Sequence, residues 1–124
     1  MAGVTARAIL DSAVEDEHSP GRPAPRPAAT RPRATLLAAS ELLRALSAPV
    51  RIAIVLQLRE SERCVHELVD ALGVTQPLIS QHLRVLKSAG VVDGERHGRE
   101  VVYRLVDEHL SHIVVDAVTH VEEE

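Results

Sequence analysis

The chain has 124 residues, 45% of them apolar and 26% charged, which gives room and composition for a single ordinary globular domain. Tyr103 is its one aromatic side chain, so the core must be built from Leu, Val, Ile and Ala, whose small volumes limit the area one subunit buries and favour a dimer. A lone cysteine, Cys64, excludes an internal disulfide and fits a reducing compartment, and the longest uninterrupted apolar stretch, Ile52 to Leu56, is too short to span a bilayer; a cytoplasmic protein with no membrane partner is expected.

Five of the seven prolines fall in the first 33 residues, and proline supplies no donor for a helix or ladder. Residues 1–33 are therefore predicted to be a flexible Pro-rich N-terminal tail, preceding a domain over 34–124. A transient helix over residues 6–16 would be marginal on its own in water. From Ala34 the pattern turns helical, with Leu36, Ala39, Leu43 and Leu46 on one stripe. Ser47 offers an N-cap, with Pro49 in the first turn of a second helix whose run Val50 to Leu58 is apolar nearly all round, as a central buried helix would be.

Val65, Leu68, Val69 and Leu72 follow the spacing of a third helix that Gly73 ends. Thr75 is the expected cap of a fourth, whose buried stripe is Ile79, Leu83 and Leu86 and which Gly90 closes. Val91-Val92 and Val101 to Leu105 read as two strands of a β-hairpin joined by a loop holding Gly94 and Gly98. Asp107 starts a final helix with Leu110, Ile113, Val114, Ala117, Val118 and Val121 on a broad apolar arc. The fold class is mainly α with a small hairpin: a winged helix-turn-helix, dimerising through its terminal helices.

Two short helices joined by a tight Gly-Val-Thr turn, the second rich in small polar and cationic residues, form a helix-turn-helix. Thr75 opens the second helix, and Gln76, Ser80, Gln81 and Arg84 face away from its apolar stripe, where they can hydrogen-bond base edges in a major groove. Arg96 and Arg99 at the hairpin tip are placed to meet phosphates or the minor groove. His82 falls on the edge of the buried stripe and reads as packing. The net charge of −4 divides unevenly: residues 75–104 carry five cations against three acids, whereas residues 105–124 carry six acids and no Lys or Arg.

From about Leu36 to Glu123 the sequence resembles the ArsR/SmtB family of metalloregulatory repressors. The match is carried by Leu46-Ser-Ala-Pro-Val-Arg-Ile, Cys64-Val-His-Glu-Leu, Thr75-Gln-Pro-Leu-Ile-Ser-Gln-His-Leu-Arg-Val-Leu and Gly98-Arg-Glu-Val-Val-Tyr-Arg-Leu. The resemblance implies a homodimeric repressor that binds a double-stranded, palindromic DNA operator and leaves it when metal binds.

The last helix carries Asp107-x-His109 and, further on, His120-x-x-Glu123. His109 and His120 share a helix face but stand about 16 Å apart along the axis, whereas zinc ligands sit about 2 Å from the ion. One helix cannot close this site; an antiparallel copy, crossing near residues 114 and 115, brings His109 of one subunit beside His120 of the other. Asp107 and Glu123 then complete two equivalent four-ligand sets, with Leu110, Ile113 and Ala117 as the helix seam. Two imidazoles and two carboxylates suit zinc, and the same pattern is the family's zinc site. His112 and Asp116 offer further donors for a six-coordinate ion, so nickel or cobalt is the alternative.

Some family members bind soft metals through Cys-x-Cys at the third helix; here the pair reads Cys64-Val65-His66. Cys64, Glu67 and His18 form a possible second metal set, and the competing reading is that Cys64 is a small packed residue. Two other functions remain open at this point: a winged-helix regulator without metal response, and, more remotely, a zinc enzyme, which would need an open coordination position and a pocket.

Overall fold

The computed structural model of the chain describes residues 19–123. The expected helix over 6–16, the first part of the expected tail, and His18 lie outside the described residues. The chain divides into two compact units, Met1–Ser40 and Glu41–Glu124. In the first, residues 19–22 turn, closed by the Arg22 N–H donating to the Ser19 carbonyl at 3.2 Å, and residues 23–32 adopt no regular structure. Helix α1 (Arg33–Leu46) begins in this unit and ends in the second. Only Ala45 and Leu46 of α1 are buried. The expected stripe through Leu36 and Leu43 stays out, at 39% and 55% exposure. An apolar stripe at helical spacing identifies a face that wants cover, and a single chain does not provide it.

In the second unit, α2 (Pro49–Glu60) runs through the middle. Its cap is Ala48, in extended conformation and with no side-chain bond, rather than the expected Ser47. Proline at the first position needs no donor partner, so the hydroxyl is dispensable. Arg51 does the joining instead: its Nε donates to the Ala45 carbonyl at 2.5 Å and one Nη to the Arg44 carbonyl at 3.5 Å, satisfying acceptors that the end of α1 leaves open. Ile54 and Val55 are fully enclosed and Leu58 nearly so, as the all-round apolar run predicts.

Strand β1 (Arg63–Cys64) leads directly into α3 (Val65–Leu72). Two residues are too few for any periodicity to reveal, and this strand was not expected from the sequence. Gly73 ends α3 at φ +65°, in the left-handed region glycine tolerates. Helix α4 (Gln76–Ser88) has Thr75 as its cap residue by backbone conformation, but the Thr75 hydroxyl makes no capping bond. Its buried stripe is Ile79, Leu83 and Leu86, as expected. At its far end Gly90 adopts φ +75°, with Gly90 N–H donating to the Lys87 carbonyl and Val91 N–H to the Leu86 carbonyl. That bond pair is the Schellman closure.

The hairpin is longer than expected. Strands β2 (Val92–His97) and β3 (Glu100–Leu105) pair from Val92 and Leu105 out to His97 and Glu100, leaving Gly98 and Arg99 as a two-residue turn. Residues 93–97 read as loop because charged side chains and a glycine break the alternation, yet ladder pairing overrides weak propensity. Arg96 thus stands on a strand rather than in a loop. β1 adds to the other edge of β3, giving the antiparallel order β1-β3-β2. Helix α5 (Glu108–Glu122) follows, capped by Asp107. Its arc is only partly used: Leu110, Ser111 and Val114 are buried, Ile113 and Val118 half-buried, and Val121 is 67% exposed. Leu110 therefore belongs to the chain's own core and is not part of an outer seam. Ser111 is accommodated because its hydroxyl donates to the Glu108 carbonyl at 2.7 Å.

Gly94 faces Tyr103 across the hairpin. A Cβ there would stand 2.8 Å from Val101 Cγ1 and 3.1 Å from the Tyr103 ring, so Gly94→Ala should lower stability by about 1–3 kcal/mol through overpacking; urea denaturation at fixed protein concentration measures it. Arg51 also lies 3.2 Å from His82 Nδ1 through a guanidinium nitrogen. Burial, and secondarily this guanidinium, hold the His82 imidazole below its ordinary 6.5. A depressed folded value leaves stability whole above 6.5 and erodes it as pH falls from there towards the folded value. In His82→Gln the stability lost between about pH 7.5 and 5.5 should shrink, and urea midpoints at the two pH values would show it.

Candidate DNA-reading face and metal-ligating helix

Helices α3 and α4 meet through the turn Gly73-Val74-Thr75, and their shared apolar side fixes α4 on the core while its other side stays open. Gln76, Gln81 and Arg84 are exposed and Ser80 is half-buried, so the four side chains expected to read bases lie on the outward face. Thr75, with a hydroxyl unclaimed by the cap, stands exposed at the helix entrance. Leu78 and Val85 share this surface at 40% and 36% exposure. Apolar residues beside polar ones can meet thymine methyls and sugar carbons. Arg96 and Arg99 are exposed at the far end of the hairpin.

Lys87 and Tyr103 line a small cleft between α4 and β3 together with Ser80, Leu83 and Arg84; sequence reasoning passed over both. Lys87 sits in the last turn, away from the turn residues that signal a helix-turn-helix. Tyr103 was legible only as the lone aromatic residue, on a strand with nothing in the sequence to show that it borders α4. His82 is half-buried and occupied by Arg51, in keeping with packing rather than readout.

At the other end of the domain, Asp107 Oδ1 accepts from the His109 backbone N–H at 3.2 Å and stands 2.7 Å from His109 Nδ1. This carboxylate both caps α5 and orients the imidazole, leaving Nε2 of the ring and the second carboxylate oxygen open to a cation. The side chains are 72% and 50% exposed for His109 and Asp107 respectively. His120 and Glu123 are exposed at the opposite end of α5, and His112 and Asp116 are exposed between them. Among the described residues no three His, Cys, Asp or Glu side chains converge as a metal set. The donors of α5 are right in kind for a divalent cation, imidazole and carboxylate, and fall in two separate pairs.

Cys64 is buried at the start of α3, and its backbone N–H donates to Glu67 Oε1 at 2.9 Å. The Glu67 backbone hydrogen bond pulls the thiol's proton affinity down, but burial and the Glu67 carboxylate outweigh it, and the thiol titrates above its ordinary value. The same contact lowers Glu67. The Glu67 carboxylate thus already serves as partner to the helix end.

The comparisons with known proteins agree with this architecture. A family model described as bacterial regulatory protein, arsR family, matches residues 48–93. The HTH-type transcriptional repressor SmtB of Mycobacterium tuberculosis is 75% identical over 93 residues, covering 75% of this chain and 69% of that protein. NmtR, an HTH-type transcriptional regulator of the same organism, is 37% identical over 109 residues, 88% of this chain and 85% of that protein. A homodimeric winged helix-turn-helix DNA-binding domain from Mycobacterium bovis superposes with a TM-score of 0.65 at 29% identity, over 73% of this chain and 88% of its own. No described helix is long and apolar enough to cross a membrane. With helix-turn-helix, wing and regulator relatives in agreement, the chain belongs to the ArsR family of bacterial regulatory proteins, and it is a winged helix-turn-helix transcriptional repressor rather than an enzyme.

Proposed function

We propose that this chain acts in the cytoplasm as a homodimeric, zinc-responsive repressor, whose apo form holds a palindromic double-stranded operator and whose metal-bound form holds it weakly. One observation carries the reading. Helix α5 bears an exposed Asp107-His109 pair at one end and an exposed His120-Glu123 pair at the other. Beside them runs an apolar strip that includes Ala117, Val118 and Val121 and ends in a groove with Ile52. A second copy of α5 laid antiparallel would cover that strip and join each pair to its complement. The homodimeric state of the M. bovis domain supports dimerisation.

When bound, zinc would supply a divalent cross-link between the two helices. Everything else is done by the chain's own residues. Asp107 orients His109, α5 packs on α2, and α2 packs on α4, where Arg51 meets His82. A change in the angle between the two α5 helices therefore reaches both recognition helices through rigid elements. In this reading Thr75, Gln76, Ser80, Gln81 and Arg84 take base edges, and Arg96 and Arg99 take the backbone beside them. His112 and Asp116, one turn apart and both exposed, favour nickel or cobalt as the alternative metal. Cys64 and Glu67 serve as the start of α3 rather than as ligands.

DNA from upstream of the chain's own gene, followed by fluorescence anisotropy with zinc and then with chelator, tests the sensor. Zinc should weaken binding by about tenfold or more, and equal affinities end the sensor reading; cobalt and nickel titrated in the same way rank the metals. Ligand sharing between subunits has its own signature. His109→Ala and His120→Ala should each leave apo DNA binding intact and abolish the metal response. Mixed and allowed to exchange subunits, the two variants should recover one zinc per heterodimer, because one complementary set survives there. No recovery would mean that each site is built within one subunit.

A further inference from the structure

The cleft between α4 and the wing differs in its lining from the two larger concavities that also carry arginines. Ser80, Leu83, Arg84, Lys87 and Tyr103 enclose about 280 Å³, with two cations, two hydroxyls, an apolar floor and no carboxylate. The cavity at Arg44, Arg51 and Arg84 also carries Glu41, and that at Arg59 and Arg104 carries Glu60, Glu62 and Glu108. Of these three the first has the unopposed positive lining, and among the described residues neither Arg84 nor Lys87 is held in an ion pair.

The backbone is shaped for this. Gly94 lies directly opposite Tyr103, and a side chain at 94 would meet the Tyr103 ring and Val101. With that space left open the ring rests across β2 at the edge facing α4. The chain's one aromatic residue thus lines the cleft while packing, half-buried, against the edge of an aliphatic core cluster.

We infer that this cleft seats a phosphodiester of the bound DNA strand, with the Tyr103 hydroxyl donating to one of its oxygens and the Lys87 ammonium opposing its charge, while Ser80 and Arg84 on the other wall stay with the base-reading face. Lys87 stands in the last turn of α4, whereas the base-reading side chains are concentrated nearer its start, the usual arrangement for a helix whose N-terminal part enters the groove. The contact sets register and affinity without reading sequence. The inference rests on the DNA-binding reading above and adds Lys87 and Tyr103 to it.

A fluorescein-labelled mixed-sequence duplex of about 30 base pairs separates the two, because a phosphate contact does not need the operator. Affinity is followed between about 50 and 200 mM salt. Lys87→Gln should reduce the slope of log affinity against log salt by about one per protomer, and Lys87→Arg should restore it. Tyr103→Phe keeps the ring over Gly94 and should weaken binding about three- to tenfold, with slope and melting temperature unchanged. A wild-type slope in Lys87→Gln, or wild-type affinity in Tyr103→Phe, overturns the assignment while leaving DNA binding standing. Failure of the wild-type chain to bind the duplex overturns both. Lys87 is exposed, so its variants carry the test even if the tyrosine variant folds poorly.

Discussion

The direction in which α4 points depends on one aliphatic seam. Ile79, Leu83 and Leu86 on its inner side share a cluster with Ile54, Val55 and Leu58 of α2, Leu68 of α3, Val91 and Val92 of the hairpin, and Leu110 and Val114 of α5. Each of these side chains contributes roughly 1.5–3 kcal/mol when fully buried. None carries a polar atom that would specify a unique contact. Orientation then comes from shape: branched aliphatic residues in a close-packed interior resist sliding because any displacement opens voids. The recognition helix is therefore held stiffly by the helix that also carries α5.

That arrangement joins two ends of the domain that differ in chemistry. Residues 75–104 have a positive balance and residues 105–124 a strongly negative one. An acidic α5 lying against DNA would be repelled, so the charge pattern keeps it away from the duplex and leaves it available to a cation. α2 lies between them and touches both. Its polar surface is spent on joints: Arg51 to the end of α1 and to His82, and the Gln57 carbonyl to Arg63 at 3.2 Å. A tilt of α5 has few soft elements in which to dissipate before it reaches α4.

Much of this was legible in the residues. The period of Ile79, Leu83 and Leu86, the glycines at 73 and 90, and the aspartate at 107 each express a local rule that the tertiary structure keeps. Three things were not legible, for different reasons. β1 is too short to show a period. The length of the hairpin was hidden because Asp93, Gly94 and Glu95 have poor strand propensity, and only pairing with β3 holds them. The stripes of α1 and α5 showed which residues are apolar, but not which of them the chain covers itself; Leu110 went inside while Leu43 and Val121 stayed out. Sequence periodicity gives a face, and only the packing tells whose surface meets it.

The same limit applies to the proposed metal-binding pattern. Spacing alone places His109 and His120 on one side of a helix and too far apart to share an ion. The structure adds that Asp107 does two jobs at once, closing the helix end and turning the His109 ring so that Nδ1 is engaged. An imidazole so oriented has lost much of its rotational freedom before any cation arrives, which lowers the entropic cost of ligation at that end. Asp107 as N-cap holds one oxygen against the helix, so its capacity as a ligand rests on the other oxygen, or on releasing the cap. Capping and ligation thus compete for one carboxylate, and the first turn of α5 is where metal occupancy would first be felt as a change in helix geometry. From there Leu110, one turn on and packed in the cluster, is the first core residue in line.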